Sequence, residues 1–242
     1  IEWANLTFDW GEIRDKTIKE LKFPFARYRR GQRELAVAAY TTIKEGKHIF
    51  AQAPTGIGKT MSTLYPSIKS IGEGLTNKIF YLTAKTITRE VPKATMELLI
   101  DKGLRTKALV ITAKDKICSN DEVKCNTRDC KAAKGHFDRV NDAIMDIFHN
   151  EDLMTRDIVL SYATKHNVCP FEFELDVSLW CDAIICDYNY VFDPNVSLKR
   201  FFEANGNDYI FLIDEAHNLV DRSRDMFSAE ITKKPFLKYK RL

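Results

Sequence analysis

Eight residues, 53–60, constrain the fold of this chain most, because they read Ala-Pro-Thr-Gly-Ile-Gly-Lys-Thr. The pattern G-x-x-x-x-G-K-[ST] surrounds a phosphate chain with backbone N–H groups at the start of a helix. Ala53 stands where the first glycine is usual, but it is small enough for a close backbone approach. Such a loop needs a strand before it and a helix behind it, which we predict over 48–53 and 59–70. Residues 53–60 are called the phosphate loop below.

Strand and helix patterns alternate along much of the chain. A helix is predicted over 87–101, and further strands are predicted over 78–84, 106–112, 181–187 and 209–213. Alternation of this kind is typical of a parallel sheet with helices on both faces. The sequence therefore predicts an α/β fold built around a P-loop parallel sheet.

The phosphate loop carries the residue types that bind ATP. Lys59 is expected to reach the β- and γ-phosphates, and Thr60 is expected to bind Mg²⁺ through its hydroxyl. Upstream, the Gln32 amide can donate to and accept from adenine, although an exposed helix position would explain it equally well. The predicted ATP-binding residues are Gln32, Ala53, Pro54, Thr55, Gly56, Ile57, Gly58, Lys59 and Thr60.

Two carboxylates follow the predicted strand 209–213, in the segment Asp-Glu-Ala-His at 214–217. Ligands gather at the carboxyl ends of parallel strands, so this pair is expected beside the phosphate loop. Asp214 would hold Mg²⁺, and Glu215 would orient and deprotonate the attacking water. His217 would couple the nucleotide site to the rest of the protein. The alternative is an acidic helix N-terminus without catalytic meaning.

Four cysteines lie between these two motifs, in a polar and loop-rich stretch: Cys118, Cys125, Cys130 and Cys169. Their spacing is x6, x4 and x38, which a nucleotide-binding domain does not need, so we interpret them as ligands of a metal centre. Cys181 and Cys186 instead flank an apolar strand and are predicted to be core thiols. The N-terminus lacks a basic segment followed by an apolar one, so a secretion signal and disulfides are not expected.

The strand–helix alternation stops over 114–180, and this segment is predicted to be an insertion. Helices are predicted over 136–149 and 152–166, and the first has an apolar face formed by Phe137, Val140, Ile144, Ile147 and Phe148. An insertion of this length inside a compact domain is usually functional.

Composition excludes some classes of protein. With 45% hydrophobic residues and no apolar run near the roughly 20 residues that span a bilayer, no membrane segment is expected. A cytoplasmic location is predicted. The net charge of +3 is too small to indicate nucleic-acid binding by itself. Because the chain begins with Ile1 and not Met, we expect it to be part of a longer protein.

The phosphate loop, the Asp-Glu-Ala-His segment and the cysteines between them resemble, in this order, the XPD/DinG family of superfamily 2 helicases. Residues 81–86 resemble motif Ia of the family, and 187–191 resemble a segment of its DinG-like members. The resemblance implies a RecA-like motor domain over 25–113 and 181–220, with the insertion 114–180 as a mostly helical iron–sulfur cluster domain. Residues 221–242 would begin an arch-type insertion, and 1–24 remain unassigned.

The resemblance implies ATP-driven 5′→3′ movement on single-stranded DNA with duplex unwinding. It also implies a 4Fe–4S cluster on the four cysteines, with zinc as the competing metal. Single-stranded DNA or DNA junctions are the expected partners, together with a second RecA-like domain of the same protein that supplies an arginine finger. Without that domain, these 242 residues are expected not to translocate.

The resemblance of residues 81–86 to motif Ia implies contacts with DNA. Thr83, Lys85 and Thr86 are expected to bind DNA phosphates, although an ordinary capped helix would explain them as well. Tyr188 and Tyr190 are candidates for stacking on bases. Two rival functions remain: a P-loop ATPase with a zinc-binding interaction module, and a DNA-binding module without turnover.

Overall fold

A computed structural model describes residues 2–84, 86–120, 122–202, 208–229 and 233, with side chains for all of these except 2–8, 86 and 87. One sheet of five strands runs through it in the order β3-β2-β4-β1-β5, and every neighbouring pair is parallel. The strands are β1 (Lys78–Thr83), β2 (Ala108–Val110), β3 (Leu153–Met154), β4 (Ala183–Asp187) and β5 (Tyr209–Ile213). The predicted α/β fold with a parallel sheet is confirmed.

Among the described residues, three helices precede β1, and the others lie between the strands or after β5. The helices are α1 (Glu2–Glu20), α2 (Gln32–Lys44), α3 (Lys59–Gly72), α4 (Glu90–Asp101), α5 (Lys114–Ile117), α6 (His136–Asn150), α7 (Arg156–His166), α8 (Pro170–Ser178), α9 (Asn189–Phe192), α10 (Lys199–Phe202) and α11 (Leu219–Met226). Short 3-10 turns occupy Thr86–Arg89 and Ala216–Asn218.

Apolar side chains cover both faces of the sheet. Along β1, Ile79 and Tyr81 pack in the cluster that contains residues of α1, α3 and α4, while Phe80 and Leu82 pack with α6, α7 and α8. Every residue of β1 is buried. This is typical of a strand that is covered on both faces, whose sequence lacks the alternation of apolar and polar residues.

Helices α6–α8 form the second helical layer of this sheet, although they lie within the segment predicted as an insertion. The strand β3 also lies in that segment and pairs with β2. Val140, Ile144 and Phe148 are buried as predicted, but Phe137 is 84% exposed, so its place on the apolar face was wrong. Phe137 lies in the first turn of α6, next to the loop-rich residues 118–135.

The strand predicted over 48–53 is absent, because residues 47–54 form no regular structure. Phe50 is 96% exposed. A β-strand needs a hydrogen-bonded neighbour, and the outer edge of β5 is not paired with any strand in the part of the chain that the structure describes. The apolar residues before the phosphate loop have strand propensity, but propensity alone does not supply the partner.

Helix α1 packs at the amino-terminal ends of the strands, opposite the carboxyl-terminal edge. Arg14 Nη1 lies 2.8 Å from Asp182 Oδ1, just before β4, and the Tyr65 hydroxyl donates to the Leu21 carbonyl at 3.1 Å. Trp10 packs edge-on against Phe148 at the end of α6, with ring centroids 5.7 Å apart. The helix therefore contacts both helical layers.

Within the described ranges, no helix combines the length and apolar character that crossing a bilayer requires. The cytoplasmic location stays a prediction. Cys181 and Cys186, predicted to be core thiols, are both buried, which confirms that prediction.

Candidate nucleotide-binding site

The phosphate loop leads directly into α3 and depends on two glycines. Gly56 has φ 82° and Gly58 has φ 87°, a left-handed conformation that side chains other than glycine rarely adopt. A Cβ atom at Gly58 would also overlap Nε2 of Gln32. Gly58 is therefore fixed by both its backbone angle and its neighbour.

Gln32 lies beneath this loop and is only 2% exposed, so the alternative of an exposed helix residue is wrong. Its Oε1 accepts the Arg29 backbone N–H at 3.0 Å, and the Arg29 guanidinium donates to the Gly56 carbonyl. Residues 29–32 are thereby tied to the phosphate loop. Beside them is a cavity of about 490 Å³ lined by Phe25, Arg27, Tyr28, Arg29, Arg30 and Gln32.

The two motifs meet at the carboxyl-terminal edge of the sheet. Lys59 Nζ lies 3.6 Å from Glu215 Oε1 and 3.3 Å from the Ala53 carbonyl oxygen. The Tyr81 hydroxyl lies 3.3 Å from Thr60 Oγ1 and also hydrogen-bonds the Asp214 carboxylate. The two residues predicted to hold Mg²⁺, Thr60 and Asp214, therefore share one hydrogen-bonding neighbour.

The electrostatics of this edge favour a bound cation. Burial, reinforced by the negative charge of Glu215, raises the pKa of the Asp214 carboxyl above its ordinary value, and Lys59 opposes this only in part. A divalent cation would reverse the shift, because positive charge favours the ionised carboxylate. The carboxylate pair thus lacks compensating charge that Mg²⁺ would supply.

Glu215 has an unusual backbone conformation, with φ 50° and ψ 46°. For an L-residue this left-handed conformation costs roughly 1–2 kcal/mol, so neighbouring groups must maintain it. The Glu215 carbonyl accepts hydrogen bonds from the Tyr188 hydroxyl at 3.1 Å, Asn218 Nδ2 at 2.9 Å and the Asn218 backbone N–H at 3.0 Å. Nothing in the residue types of 214–217 predicted this arrangement.

His217 remains accessible. Its side chain is 74% exposed, and Nδ1 lies 3.4 Å from Glu215 Oε2. It is therefore adjacent to the predicted catalytic carboxylate and available to a further partner, as its predicted coupling role requires.

Most of the predicted DNA contacts are not on the surface. Thr83 is buried, with Oγ1 3.4 Å from the Cys186 carbonyl, and the rings of Tyr188 and Tyr190 are also buried. Buried rings and hydroxyls cannot meet bases or phosphates, so these three contacts were wrong. Thr86 begins a 3-10 turn at the end of β1, and Lys85 lies outside the described residues.

Three of the four predicted cluster cysteines are electrostatically close. Burial, and to a smaller extent Cys130, raises the pKa of the Cys169 thiol. A hydrogen bond between the Lys114 ammonium and the Cys125 sulfur raises the pKa of Lys114. The charge interaction of Lys114 with Cys169 raises that pKa to a smaller extent. Cys118 follows directly after α5, which begins at Lys114. Cys125 and Cys169 therefore both interact with Lys114, and Cys130 interacts with Cys169.

No set of three or more His, Cys, Asp or Glu side chains is close enough to hold a single metal ion, as far as the described residues go. Zinc needs four ligands around one atom, whereas a four-iron cluster distributes its four thiolates over different irons. Cys130 is buried, Cys118 and Cys169 are half-buried, and Cys125 is exposed.

His136 holds the backbone at one of these cysteines. Its Nδ1 accepts the Cys169 N–H at 3.2 Å, which assigns the proton to Nε2. That Nε2 is buried without a hydrogen-bond partner, 3.6 Å from a carboxylate oxygen of Asp176. Sequence reasoning missed His136, although it begins the helix that follows the cysteine-rich loop.

Glu174, in the helix that begins after Cys169, is fully buried. Its two carboxylate oxygens lie 3.1 and 3.2 Å from the Thr112 N–H. Burial raises its pKa well above the ordinary value, and the Thr112 N–H and Arg89 only partly offset this. The site joins α8 to the end of β2 and to the Thr86–Arg89 turn.

This burial predicts a pH dependence for Glu174→Gln. A carboxyl whose pKa is higher in the folded than in the unfolded protein increases the free energy of unfolding as the pH falls from the folded-state pKa toward the unfolded-state pKa of about 4.3. A glutamine amide does not bind a proton in this range, so the variant lacks this increase. We expect the stability of the variant relative to the unmodified protein to be greatest above the folded-state pKa of Glu174 and to decline as the pH falls toward about 4.3. Thermal unfolding across this range measures it, with exposed Glu97→Gln as control. A difference independent of pH would contradict the prediction.

Comparison with known proteins gives a consistent result. Residues 86–236 match the DEAD_2 family. The XPD/RAD3 helicase subunit of general transcription and DNA repair factor IIH from Saccharomyces cerevisiae is 24% identical over 79% of this chain. A regulator of telomere elongation helicase 1 homolog from Caenorhabditis briggsae is 23% identical over 91% of it. The chain spans only 29% and 26% of those two relatives.

Solved structures share the fold at lower identity. An XPD helicase structure superposes with a TM-score of 0.57 at 18% identity, covering 84% of this chain and 35% of its own. A truncated XPD gives 0.55 at 18% identity, covering 79% of this chain and 54% of its own. At this identity the structures support the fold alone.

Proposed function

Because this chain belongs to the DEAD_2 family, we propose that it forms the first motor domain of an ATP-dependent DNA helicase of the XPD type. The observation that carries the proposal is the 3.6 Å contact between Lys59 of the phosphate loop and Glu215 after β5. This contact brings a lysine and a carboxylate of the kind used in phosphoryl transfer to one edge of the sheet, which supports the proposal.

The proposed roles follow from the geometry. The backbone of 53–58 surrounds the phosphates, and Lys59 neutralises the β- and γ-oxygens. Thr60 and Asp214 would hold Mg²⁺, which spreads the charge of the phosphates when bound. Glu215 accepts the proton of the attacking water. The base of the nucleotide would occupy the cavity beside Gln32, whose buried amide faces the loop.

A second RecA-like domain is proposed to complete the site. The side chains of Lys59 and Glu215 are 33% and 44% exposed, so one side of the phosphate position is open to solvent. An arginine supplied from that side would stabilise the charge that develops on the phosphoryl group. Hydrolysis would then depend on closure of the two domains.

We also propose a 4Fe–4S cluster on Cys118, Cys125, Cys130 and Cys169. The interactions of Lys114 with Cys125 and Cys169, the interaction of Cys130 with Cys169 and the support of Cys169 by His136 favour it. The cluster would order the loop-rich residues 118–135, whose few buried side chains give them little core of their own. The cluster region would lie within 114–180, between the motor segments 25–113 and 181–220, with an arch-type insertion starting in 221–242.

Single-stranded DNA is the proposed partner, with movement in the 5′→3′ direction. Of the predicted phosphate contacts, Lys85 and Thr86 remain candidates, since the turn Thr86–Arg89 lies at the carboxyl end of β1, on the same edge as the nucleotide site. Nucleotide and DNA would therefore act on one edge of the sheet.

The test is DNA-stimulated ATP hydrolysis by the complete protein. Lys59→Ala should lower turnover about 10²-fold or more, because it removes the cation that stabilises transferring phosphate charge. Lys47→Ala is the control, since Lys47 is an exposed lysine paired only with Glu45 in the described structure. A complete protein that binds DNA without hydrolysing ATP would support the DNA-binding module instead. Normal turnover after Lys59→Ala would show that the phosphate loop is wrongly assigned.

A further inference from the structure

The turn at Glu215 is held by a buried tyrosine. Glu215 is one of two non-glycine residues with positive φ among those described, the other being Asn167. The Tyr188 hydroxyl donates to the Glu215 carbonyl at 3.1 Å and also approaches the Asp214 carbonyl. A tyrosine has one hydroxyl hydrogen, so this hydrogen is shared between the backbone carbonyls of Asp214 and Glu215, the two residues whose side chains are the predicted catalytic carboxylates.

Tyr188 is itself held firmly. Its ring is fully buried, and its backbone N–H donates to the Thr83 carbonyl at 3.2 Å. The preceding residue, Asp187, pairs with Arg222 of α11 at 3.1 Å, so the segments before Tyr188 and after Glu215 are also joined to each other. The hydroxyl therefore meets the turn from a rigid position.

We propose that Tyr188 is a positioning residue for ATP hydrolysis: its hydroxyl keeps Glu215 in the left-handed conformation from which the carboxylate reaches the attacking water. The proposal rests on the proposed role of Glu215 as the base. The direction of the Cβ atom is set by the backbone angles, so relaxing φ from 50° toward the usual negative region would swing the carboxylate away from Lys59. Asn218 supports the same carbonyl from the other side.

The competing explanation is that Tyr188 is an ordinary core residue whose hydroxyl is satisfied by whichever carbonyl is near. Both explanations predict the observed hydrogen bonds, but they differ in what the hydroxyl does for turnover. A core role affects stability, whereas a positioning role affects kcat through Glu215 alone.

Tyr188→Phe keeps the ring and removes only the hydroxyl. We expect kcat for DNA-stimulated ATP hydrolysis to fall on the order of tenfold, the effect of losing one hydrogen bond to the turn, with the Kd for ATP unchanged. Tyr190→Phe is the matched control, because that ring is also buried but its hydroxyl lies 3.4 Å from the Thr112 carbonyl and not on the turn. Its kcat should be close to that of the unmodified protein.

A double-substitution cycle separates the two explanations. In a Glu215→Gln background, Tyr188→Phe should cause no further loss of kcat, because there is no base left to position. An equal tenfold loss in both backgrounds, or an unchanged kcat in the single variant, would overturn the proposal. If Tyr188→Phe does not fold, Asn218→Ala, which alters a half-buried side chain, takes its place with the same expected dependence on Glu215.

Failure of the proposed function would look different. If the complete protein shows no ATP hydrolysis, or if Glu215→Gln hydrolyses ATP at the normal rate, Glu215 is not the general base. The positioning role of Tyr188 is then excluded as well. If Glu215→Gln is inactive while Tyr188→Phe is fully active, only the positioning role is overturned.

Discussion

Replacing Glu215 by glutamine should lower kcat for ATP hydrolysis by about 10²–10⁴-fold, the usual contribution of a general base. Glutamine has nearly the same shape, so the turn and its hydrogen bonds to Tyr188 and Asn218 should remain. The ammonium of Lys59, 3.6 Å away, loses a competing carboxylate and becomes fully available to phosphate. The affinity for ATP should therefore be kept or increased.

The charge change also reaches Asp214. Since the charge of Glu215 contributes to the raised pKa of Asp214, its removal should lower that pKa, and the loss of one negative charge should weaken the attraction of the site for Mg²⁺. Single-turnover hydrolysis and nucleotide binding on the complete protein measure both effects. Asp221→Asn, an exposed carboxylate in α11 paired with Arg224, is the control. Normal hydrolysis by Glu215→Gln would exclude it as the base, and loss of ATP binding would indicate a structural role.

Replacing Cys130 by serine should abolish the proposed cluster. Cys130 is the most deeply buried of the four cysteines, and a serine hydroxyl is a poor ligand for iron. We expect iron and acid-labile sulfide to fall from about four atoms per chain to near zero, with loss of the brown colour. The parallel sheet should stay folded, since Cys130 belongs to neither of its two apolar clusters.

Cys181→Ala provides the matched control for this experiment. Cys181 is equally buried but lies in the core, 3.9 Å from the Met154 sulfur, so this variant should lose stability and keep its iron. Iron that survives Cys130→Ser would remove this residue from the ligand set. Stoichiometric zinc in the unmodified protein would replace the cluster with the rival metal.

Residue identity predicted which side chains meet at the carboxyl-terminal edge of the sheet, because few side chains suit phosphate chemistry. A lysine and a threonine after a glycine turn, and a carboxylate pair after an apolar strand, have fixed relations in a parallel sheet. The prediction of a strand over 48–53 was wrong for the opposite reason. Whether 48–53 pairs depends on a neighbour far along the chain, and local propensity carries no information about that neighbour.

The predicted DNA contacts show a second reason why sequence patterns do not identify every site residue. Successive side chains of a strand point to opposite faces of the sheet, and both faces of this sheet are covered, so a polar residue at a strand end can be a core residue. Thr83 and Tyr188 have the right polar groups but lie on the inner side. Their hydroxyls donate hydrogen bonds to backbone carbonyls. The sequence pattern does not distinguish such a hydroxyl from one that binds DNA.

The docking of α1 has a consequence for the order in which the chain folds. Its ion pair joins Arg14 to Asp182, 168 positions later, and Ile18 and Leu21 are buried against α3 and its neighbours. At about 5–20 residues per second, ribosomes need on the order of ten seconds to reach the partner of Arg14. The helix α3, on which Ile18 and Leu21 pack, is synthesised well before that point. Helix α1 can thus cover its apolar side chains early, but it becomes joined to the sheet only after Asp182 has been synthesised.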